Sequence, residues 1–479
     1  MSLKKQALSG VFWSSLQLFG TQGIGLVVSI ILARLLLPAE FGLIAMLGIF
    51  MGLAATLINS GLTTSLIRTE NIDEEDYATV FYFNLMMSVF LYVLIVLAAP
   101  FIADFYKQPV LTAVVRVYSV IFIINALSAI QITRLNKLLD FKTQMKVSIP
   151  SLLIGCFVGV SMAYMGFGVW SLVWSNIIQA TASVVQLAYY SHWKPLWVFN
   201  IQKFKYHFHY GMKLMFSGIL DILFTNAYTI IIGKFFAPAQ VGFYNRAENL
   251  QMFPVTIVNS IIGKVTFPLF ATIQNDDTRL KDVYKRIMQM VLFVVTPTLI
   301  LMAVVAEPLF RLVFTEKWLP AVPYFQILCF NGILYPIHSY NLQILNVKGR
   351  SDLFLKLEIV KKALVLLIIL ISFQYGIYGL LYGSVIGSVL CFFINTHYSG
   401  KFINYPAIEQ IKDLLPIILV SLTTGAIVMF ADKFLANADF VDFFRIVVGS
   451  VFGILLYLAT AYVLKISSLS ELITIVKKQ

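Results

Sequence analysis

The sequence has few charged residues and almost no cysteine. Charged side chains make up 12% of the 479 residues, whereas a soluble protein carries about a quarter. The cysteines, Cys156, Cys329 and Cys391, lie inside apolar runs at no metal-like spacing, so we interpret them as small packing residues. The sequence also lacks a phosphate-binding Walker loop, a nucleophile elbow and a His-Glu-x-x-His motif. These absences argue against ATP hydrolysis, and we expect no cofactor and no metal.

Long hydrophobic runs, by contrast, are abundant. Hydrophobic residues make up 59% of the chain, and the mean hydropathy is +0.86. Runs of about 20 apolar residues recur from end to end, long enough to cross a hydrocarbon core of about 30 Å as a helix. The sequence therefore predicts an all-α polytopic membrane protein of about 14 transmembrane helices. We place them at residues 10–33, 41–66, 79–104, 109–131, 147–167, 169–190, 208–233, 241–270, 286–313, 321–346, 355–375, 377–398, 411–431 and 443–464.

One stretch of the chain occurs twice, two hundred residues apart. Residues 34–60 and 234–260 share a Pro-Ala-x-x-Gly turn and a Thr-x-x-Asn-Ser end without a gap. Six predicted helices separate equivalent positions, so both copies enter the membrane in the same direction. This predicts two parallel six-helix repeats plus two C-terminal helices. We expect an N-terminal lobe at 1–206, a second lobe at 207–400, and the last two helices with a cytoplasmic tail at 401–479.

The basic residues lie mostly on one side of the predicted helices. With the N-terminus inside, 23 Lys and Arg residues fall on the inner side and seven on the outer side. This asymmetry predicts that both termini are cytoplasmic. An acidic run in the first inner loop is expected to be solvated, and the histidines before the seventh helix are expected to be interfacial anchors. These residues are Glu70, Asp73, Glu74, Glu75 and Asp76, and His207 and His209.

The first helix of each repeat has a polar stripe. The stripes are Ser14, Gln17 and Thr21 in the first repeat, and Ser217, Asp221, Thr225 and Tyr228 in the second. Polar groups in hydrocarbon are stable only against protein or water, so the stripes are expected to face the bundle interior or a cavity. The alternative is that they form hydrogen bonds between helices.

Charged residues inside apolar runs give the candidate binding residues. Each costs about 2.5–3.5 kcal/mol at a helix centre on insertion scales. Cations outnumber carboxylates among them, which favours an anionic substrate such as a lipid diphosphate. The candidates for substrate binding are Arg116, Arg246, Lys264, Gln17, Thr21, Arg34 and Lys234, and those for ion coupling are Asp221 and Glu248. Arg34 and Lys234 stand at equivalent helix ends, where snorkelling to the interface is the alternative explanation.

Several motifs together resemble a known family. They are the opening GVFWSSLQLFGTQGIGLVVSIILARLLLPAEFGLIAM, the duplicated PAE/PAQ-x-G turn, the NSG after the second helix and GFGVWSLVW at 166–174. The sequence resembles the Wzx-type polysaccharide flippases, of the colanic-acid and teichuronic-acid exporter branch. The resemblance implies transport of an undecaprenyl-diphosphate-linked oligosaccharide across the bacterial inner membrane, through a cationic cavity between two lobes. Expected partners are that lipid-linked oligosaccharide, membrane lipid and other polysaccharide-assembly proteins, with no nucleic acid.

Three other functions remain open at this point. An ion-coupled multidrug or cation antiporter of the same superfamily would share the two lobes, but it should prefer acidic cavity residues. A membrane polymerase or ligase of the same pathway would be an enzyme with a sizeable outer loop, and every predicted connection here is short. A scaffold that transports nothing would lack polar stripes. We therefore expect a transporter and not an enzyme.

Overall fold

The computed structural model describes residues 3–191 and 193–471, except for the side chains of residues 3–9, 11, 260–265, 267 and 268. This part of the chain is helical and contains no β-strand, which confirms the predicted all-α class. The α-helices are α1 Leu3–Leu35, α2 Pro38–Asn59, α3 Leu62–Arg68, α4 Glu74–Tyr106, α5 Val110–Tyr118, α6 Ile121–Lys137, α7 Phe141–Tyr164, α8 Val169–Ser191, α9 Ile201–Thr225, α10 Ala227–Phe235, α11 Pro238–Thr272, α12 Asp277–Val304, α13 Ala306–Phe314, α14 Val322–Val347, α15 Ser351–Ser372, α16 Gly376–Phe402, α17 Ala407–Asn437 and α18 Asp442–Val463.

Each predicted span falls on one of these helices or on two consecutive ones. Among the described residues, nine stretches are long and apolar enough to cross a bilayer, or ten if the bent pair α9–α10 counts as one span. The chain is therefore a multi-pass membrane protein, while the count of fourteen stays a prediction. Several predicted spans are broken in the structure. Ser60 and Gly61 take left-handed backbone angles between α2 and α3, and α9 and α10 meet at Asn226 with a bend of 47°.

The contacts divide the chain into two compact units, Met1–Gly242 and Phe243–Gln479. In the first unit α7 packs along α1 and α8, α4 packs along α5 and α6, and α9 packs along α2 and α3. In the second unit α12 packs against α14 and α17, α16 packs against α14 and α15, and α18 packs against α17. The lobes expected at residues 1–206, 207–400 and 401–479 come from the internal repeat, and they stay a prediction.

Successive spans of the first unit, each made of one helix or of two consecutive ones, alternate in direction, so the unit has two ends. At one end, called here the Pro38 end, α1 and α10 finish and α2 and α11 begin. At the other, called the Asn200 end, α2 and α6 finish and α4 and α9 begin. The predicted topology would place the Asn200 end on the cytoplasmic side.

The duplicated turn is a pair of equivalent helix starts. Pro38 occupies the first turn of α2, where its missing N–H and fixed φ are favourable. Glu40, the third residue of α2, caps the start of the helix. Its Oε2 accepts a hydrogen bond from the Leu37 backbone N–H at 2.6 Å. In the second copy, Gln240 Oε1 accepts from the Ala237 N–H at 3.3 Å. Glu40 and Gln240 occupy the same position of the repeat, and both cap the helix start in the same way.

The two copies also contact each other through their glycines. A Cβ atom built on Gly42 would lie 1.8 Å from the Pro238 carbonyl oxygen, and one built on Gly242 would lie 2.0 Å from the Pro38 carbonyl oxygen. Each glycine thus packs on the backbone of the other copy's proline, and the contact is reciprocal. Only glycine leaves room for backbones to approach this closely, as is common between membrane helices.

We expect alanine at Gly42 or Gly242 to lower the thermal unfolding temperature of the detergent-solubilised protein. The added methyl group overlaps a backbone oxygen that cannot rotate away, and such overpacking costs about 1–3 kcal/mol. Gly23→Ala is the matched control, since a Cβ there meets no atom within 4 Å. Equal stability of the Gly42 and Gly23 variants would contradict the reciprocal contact.

Candidate functional site

The polar stripe of α1 lies on a helix that its own unit covers poorly. Only 11% of the most apolar 18-residue segment of α1 is buried, and the main packing partner of the helix is α7. The Thr21 hydroxyl donates to the Gln17 carbonyl oxygen at 2.8 Å, which is a bond within the helix. Gln17 itself is half-buried. The stripe is thus present on an accessible surface of the first unit, and its role in binding stays a prediction.

The stripe of α9 stands next to a helix break. Asp221 is exposed and lies five residues before Asn226, where the helix bends. The neighbouring face of α9 packs closely on α2, because a Cβ on Gly218 would lie 3.0 Å from Thr56 Cγ2. Asp221 forms no hydrogen bond or ion pair with another described residue. A carboxylate beside a helix break is available to an ion or a ligand.

The basic candidates of the first unit lie in different places. Arg116 is exposed in α5, and the structure pairs it with no described carboxylate. Arg34 is exposed at the C-terminal end of α1. The Lys234 ammonium donates to the Phe105 carbonyl oxygen at 2.7 Å and lies 4.2 Å from the centre of that ring. The contact caps the last turn of α4, which favours an anchoring role for Lys234.

The candidates of the second unit have mainly aromatic neighbours. The Arg246 guanidinium lies 5.0 Å from the ring centre of Phe314 and 5.1 Å from that of Trp318, and both rings are buried. Glu248 accepts a hydrogen bond from the Tyr244 hydroxyl at 3.2 Å. Lys264 lies outside the residues whose side chains are described. Stacking uses the face of a guanidinium, whereas its N–H donors lie in the plane, in a fork that suits phosphate.

The acidic run before α4 is engaged in ion pairs, although the side chains of Asp73, Glu74 and Glu75 stay 60%, 50% and 44% exposed. The expectation of a solvated segment therefore holds for these residues and fails for the buried Asp76. Glu74 accepts from Arg134 Nη1 at 2.6 and 2.8 Å and from the Trp193 indole N–H at 2.7 Å. Lys203, at the start of α9, contacts Asp73 and lies 3.3 Å from Glu75. The hydrogen bond from Lys203 lowers the pKa of Asp73 to about 2. These contacts hold the beginnings of α4 and α9 together at the Asn200 end.

His207 is buried and was wrongly expected at the interface. Its Nε2–H donates to Asp76 Oδ1 at 3.1 Å, and its Nδ1 lies 2.8 Å from Ser65 Oγ. Serine, histidine and aspartate in this order can form a hydrolytic triad. Here His207 is 0% and Ser65 is 3% exposed, so no substrate reaches the hydroxyl. We interpret the three residues as a structural link between α3, α4 and α9.

A second buried ion cluster joins the last two helices. Arg445 is 6% exposed and donates to both carboxylate oxygens of Asp432, at 2.9 and 2.8 Å. Its third contact is Asp442 at 3.2 Å, which Arg311 of α13 also approaches at 3.4 Å. Arg311 and Arg445 are two of the seven cations that the sequence places on the outer side. Their pairing was missed, because partners on different helices cannot be identified from sequence spacing.

The first unit also contains a pocket of about 320 Å³ between α2, α3 and α6. Amide and hydroxyl side chains line part of it, and none of its lining residues is charged. The polar members are Asn59, Thr63, Asn125, Ser128, Thr133 and Asn136. Sequence reasoning named none of them as a site. The available signal was Asn59, one of the residues that the repeat keeps in both copies.

The fold defines the class of protein. The chain is similar to the lipid II flippase MurJ with a TM-score of 0.75 and 14% identity, covering 95% of this chain and 98% of that one. It is also similar to an inward-facing multidrug resistance MATE family transporter, with a TM-score of 0.62, 16% identity, and 82% and 99% coverage. At these identities the likeness concerns the fold, which is that of polytopic membrane transporters.

The family follows from the sequence comparison. Residues 31–323 match the model of the family described as polysaccharide biosynthesis protein, and the chain belongs to that family. It is 28% identical over 354 residues to the teichuronic acid biosynthesis protein TuaB of Bacillus subtilis, covering 74% of this chain and 73% of the relative. It is 26% identical over 401 residues to the lipopolysaccharide biosynthesis protein WzxC of Escherichia coli, covering 82% of each. The resemblance to polysaccharide flippases is confirmed, as is the expectation of a transporter and not an enzyme.

We expect Arg445→Met to cost about 3–5 kcal/mol of stability, because it leaves the buried Asp432 carboxylate without its counter-ion. Replacing both partners, Arg445→Met with Asp432→Leu, should cost much less, since no unpaired charge remains buried. Thermal unfolding of both purified variants measures the difference. A double variant as unstable as the single one would show that packing, and not charge pairing, is what Arg445 supplies.

Proposed function

We propose that this protein is a flippase that moves an undecaprenyl-diphosphate-linked oligosaccharide from the cytoplasmic to the outer leaflet of the bacterial inner membrane. The observation that carries the proposal is the family match over residues 31–323. Relatives named for teichuronic acid and lipopolysaccharide biosynthesis support a polysaccharide precursor as substrate. A further relative, 26% identical over 338 residues, is the succinoglycan biosynthesis transport protein ExoT of Rhizobium meliloti, whose name describes transport.

The proposed mechanism is alternating access by the two parallel repeats, with both termini in the cytoplasm. Parallel repeats are a common basis for rocking-type transport. The reciprocal contact of Gly42 and Gly242 with the two prolines supports it, because equivalent segments of both repeats meet there. The predicted topology would place this contact on the outer side.

The diphosphate is proposed to bind to arginine side chains. Arg116 is exposed without a carboxylate partner among the described residues, so its charge is not neutralised there. The Arg246 guanidinium lies 5.0 and 5.1 Å from two aromatic ring centres, and a guanidinium carries a fork of N–H donors that suits phosphate. We retain Lys264, Gln17, Thr21, Arg34 and Lys234 as further candidates. Asp221 and Glu248 are the proposed carboxylates for a coupling proton or sodium ion.

Transport would be measured in liposomes that contain the purified protein and a fluorescent undecaprenyl-diphosphate oligosaccharide. The fraction of head groups that a membrane-impermeant quencher reaches is followed with time. We expect faster exposure than in empty liposomes. The double variant Arg116→Gln, Arg246→Gln should flip at least about tenfold more slowly, since one charge-assisted hydrogen bond contributes about 1.5–3 kcal/mol.

Lys433→Gln is the control for loss of positive charge, because Lys433 lies near the end of α17 and forms no ion pair with a described residue. It should flip at the unaltered rate. Flipping that is unaffected in the double arginine variant would retain the function and reject the arginine site. No flipping by the folded wild type would contradict the proposed function.

An ion-coupled multidrug or cation antiporter is the second candidate. The fold likeness to the MATE transporter and the exposed Asp221 carboxylate on α9 favour it. A cation antiporter requires an acidic site that exchanges protons or sodium for the drug. Dye efflux that depends on a pH gradient and is lost in Asp221→Asn, without any lipid flipping, would establish this function instead.

A further inference from the structure

The pocket between α2, α3 and α6 is lined by neutral polar groups in a part of the chain predicted to lie in the membrane. Its volume of about 320 Å³ falls at the lower end of the range for small-molecule sites. Asn59 and Asn125 lie on α2 and α6, and both side chains are exposed. Neither amide forms a hydrogen bond with another described residue. Polar groups in a membrane need such partners from protein, water or a ligand.

The other polar side chains of the pocket each form a hydrogen bond within the protein. Ser128 Oγ donates to the Asn125 carbonyl oxygen at 2.9 Å, and Thr133 Oγ1 donates to the Ala129 carbonyl oxygen at 2.8 Å. Asn136 Oδ1 accepts from Gln144 Nε2 at 2.8 Å. The side chains of Asn59, Asn125 and Thr63 form no hydrogen bond with another described residue, so the unused hydrogen-bonding capacity is greatest there.

The shape of the pocket depends on the break between α2 and α3. Ser60 and Gly61 take φ values of 43° and 66°, which end α2 and restart the chain as α3. The far end of α3 is attached to α6, because Lys137 Nζ donates to the Leu66 carbonyl oxygen at 3.1 Å and also to that of Thr69. The Lys137 ammonium thus binds backbone carbonyl groups and does not line the pocket, whose lining residues are all uncharged.

The uncharged lining of the pocket suits the sugar part of the proposed substrate better than its diphosphate. With no cation and no charged donor, the pocket is a poor site for a diphosphate. Amide groups both donate and accept hydrogen bonds, as sugar hydroxyls do. The apolar members, including Phe122, Ile58 and Ile132, offer contact to the C–H faces of a sugar ring. An uncharged sugar satisfies both kinds of lining.

We propose that this pocket binds an uncharged sugar residue of the transported lipid, with the amides of Asn59 and Asn125 hydrogen-bonded to its hydroxyl groups. The inference rests on the proposed flippase function and assigns a subsite within it. The pocket lies towards the Asn200 end, which the predicted topology places on the side where the head group is loaded. Sugar recognition and diphosphate binding are thereby separated onto different residues.

The test measures binding to the protein in nanodiscs by microscale thermophoresis. The probes are undecaprenyl-diphosphate glucose, undecaprenyl-diphosphate galactose and undecaprenyl diphosphate without a sugar. The wild type should bind at least one glycosylated probe about 10- to 100-fold more tightly than undecaprenyl diphosphate, as expected for two neutral hydrogen bonds. Asn59→Leu with Asn125→Leu should abolish this preference while affinity for undecaprenyl diphosphate changes less than about twofold.

Two near-isosteric variants keep the test valid if the double variant misfolds. Thr63→Val removes a hydroxyl that lines the pocket, and Thr64→Val removes an exposed hydroxyl on the next residue of α3, outside the lining. Only Thr63→Val should weaken the sugar preference. The inference is overturned if both valine variants behave alike, if the asparagine variant keeps the preference, or if the wild type binds all three lipids equally. Absence of binding to any of the probes, together with absence of flipping, would instead reject the proposed function.

Discussion

Every polar group that enters a bilayer needs a partner there, because hydrocarbon supplies no hydrogen bonds. In this protein several charged side chains near helix ends meet the requirement by ion pairing. Glu74 accepts hydrogen bonds from Arg134 and Trp193, and the buried Arg445 binds both oxygens of Asp432. Against this background, the side chains that the structure leaves without such partners gain significance. Among the described residues, exposed examples are Arg116, Asp221, Asn59 and Asn125, which form no side-chain hydrogen bond or ion pair with another described residue.

The internal repeat connects sequence to architecture most directly. The Pro-Ala-x-x-Gly turn begins a helix in each copy with the same proline and the same side-chain cap, and its glycine lets each copy approach the other's proline. A transporter that works by relative motion of two similar halves needs a contact that can form and separate. A contact made of backbone and glycine depends on close approach alone, since it involves no ion pair.

Much of the fold could be predicted from the sequence, and less of the site. Hydropathy locates the helices because the bilayer sets their length. It does not locate the break at Asn226, which lies inside a single predicted span, 208–233. The link from His207 to Asp76 and the meeting of Asn59 with Asn125 in one pocket join residues far apart in sequence. Such pairings depend on tertiary packing, so the sequence predicted polar stripes and isolated charges but missed the clusters and the pocket.

The proposed mechanism requires the two repeats to move relative to each other, and a cross-link between them tests this most directly. The repeat assigns α9 to the second half, whereas its contacts group it with α2 in the first unit. A Cβ on Gly218 would lie 3.0 Å from Thr56 Cγ2, so the two positions are in contact and are suitable for a cysteine cross-linking test. With Cys156, Cys329 and Cys391 replaced by alanine, flipping is measured before and after reduction. We predict that the oxidised protein does not flip lipid and that reduction restores flipping; a fully cross-linked protein that still flips would contradict motion between the two repeats.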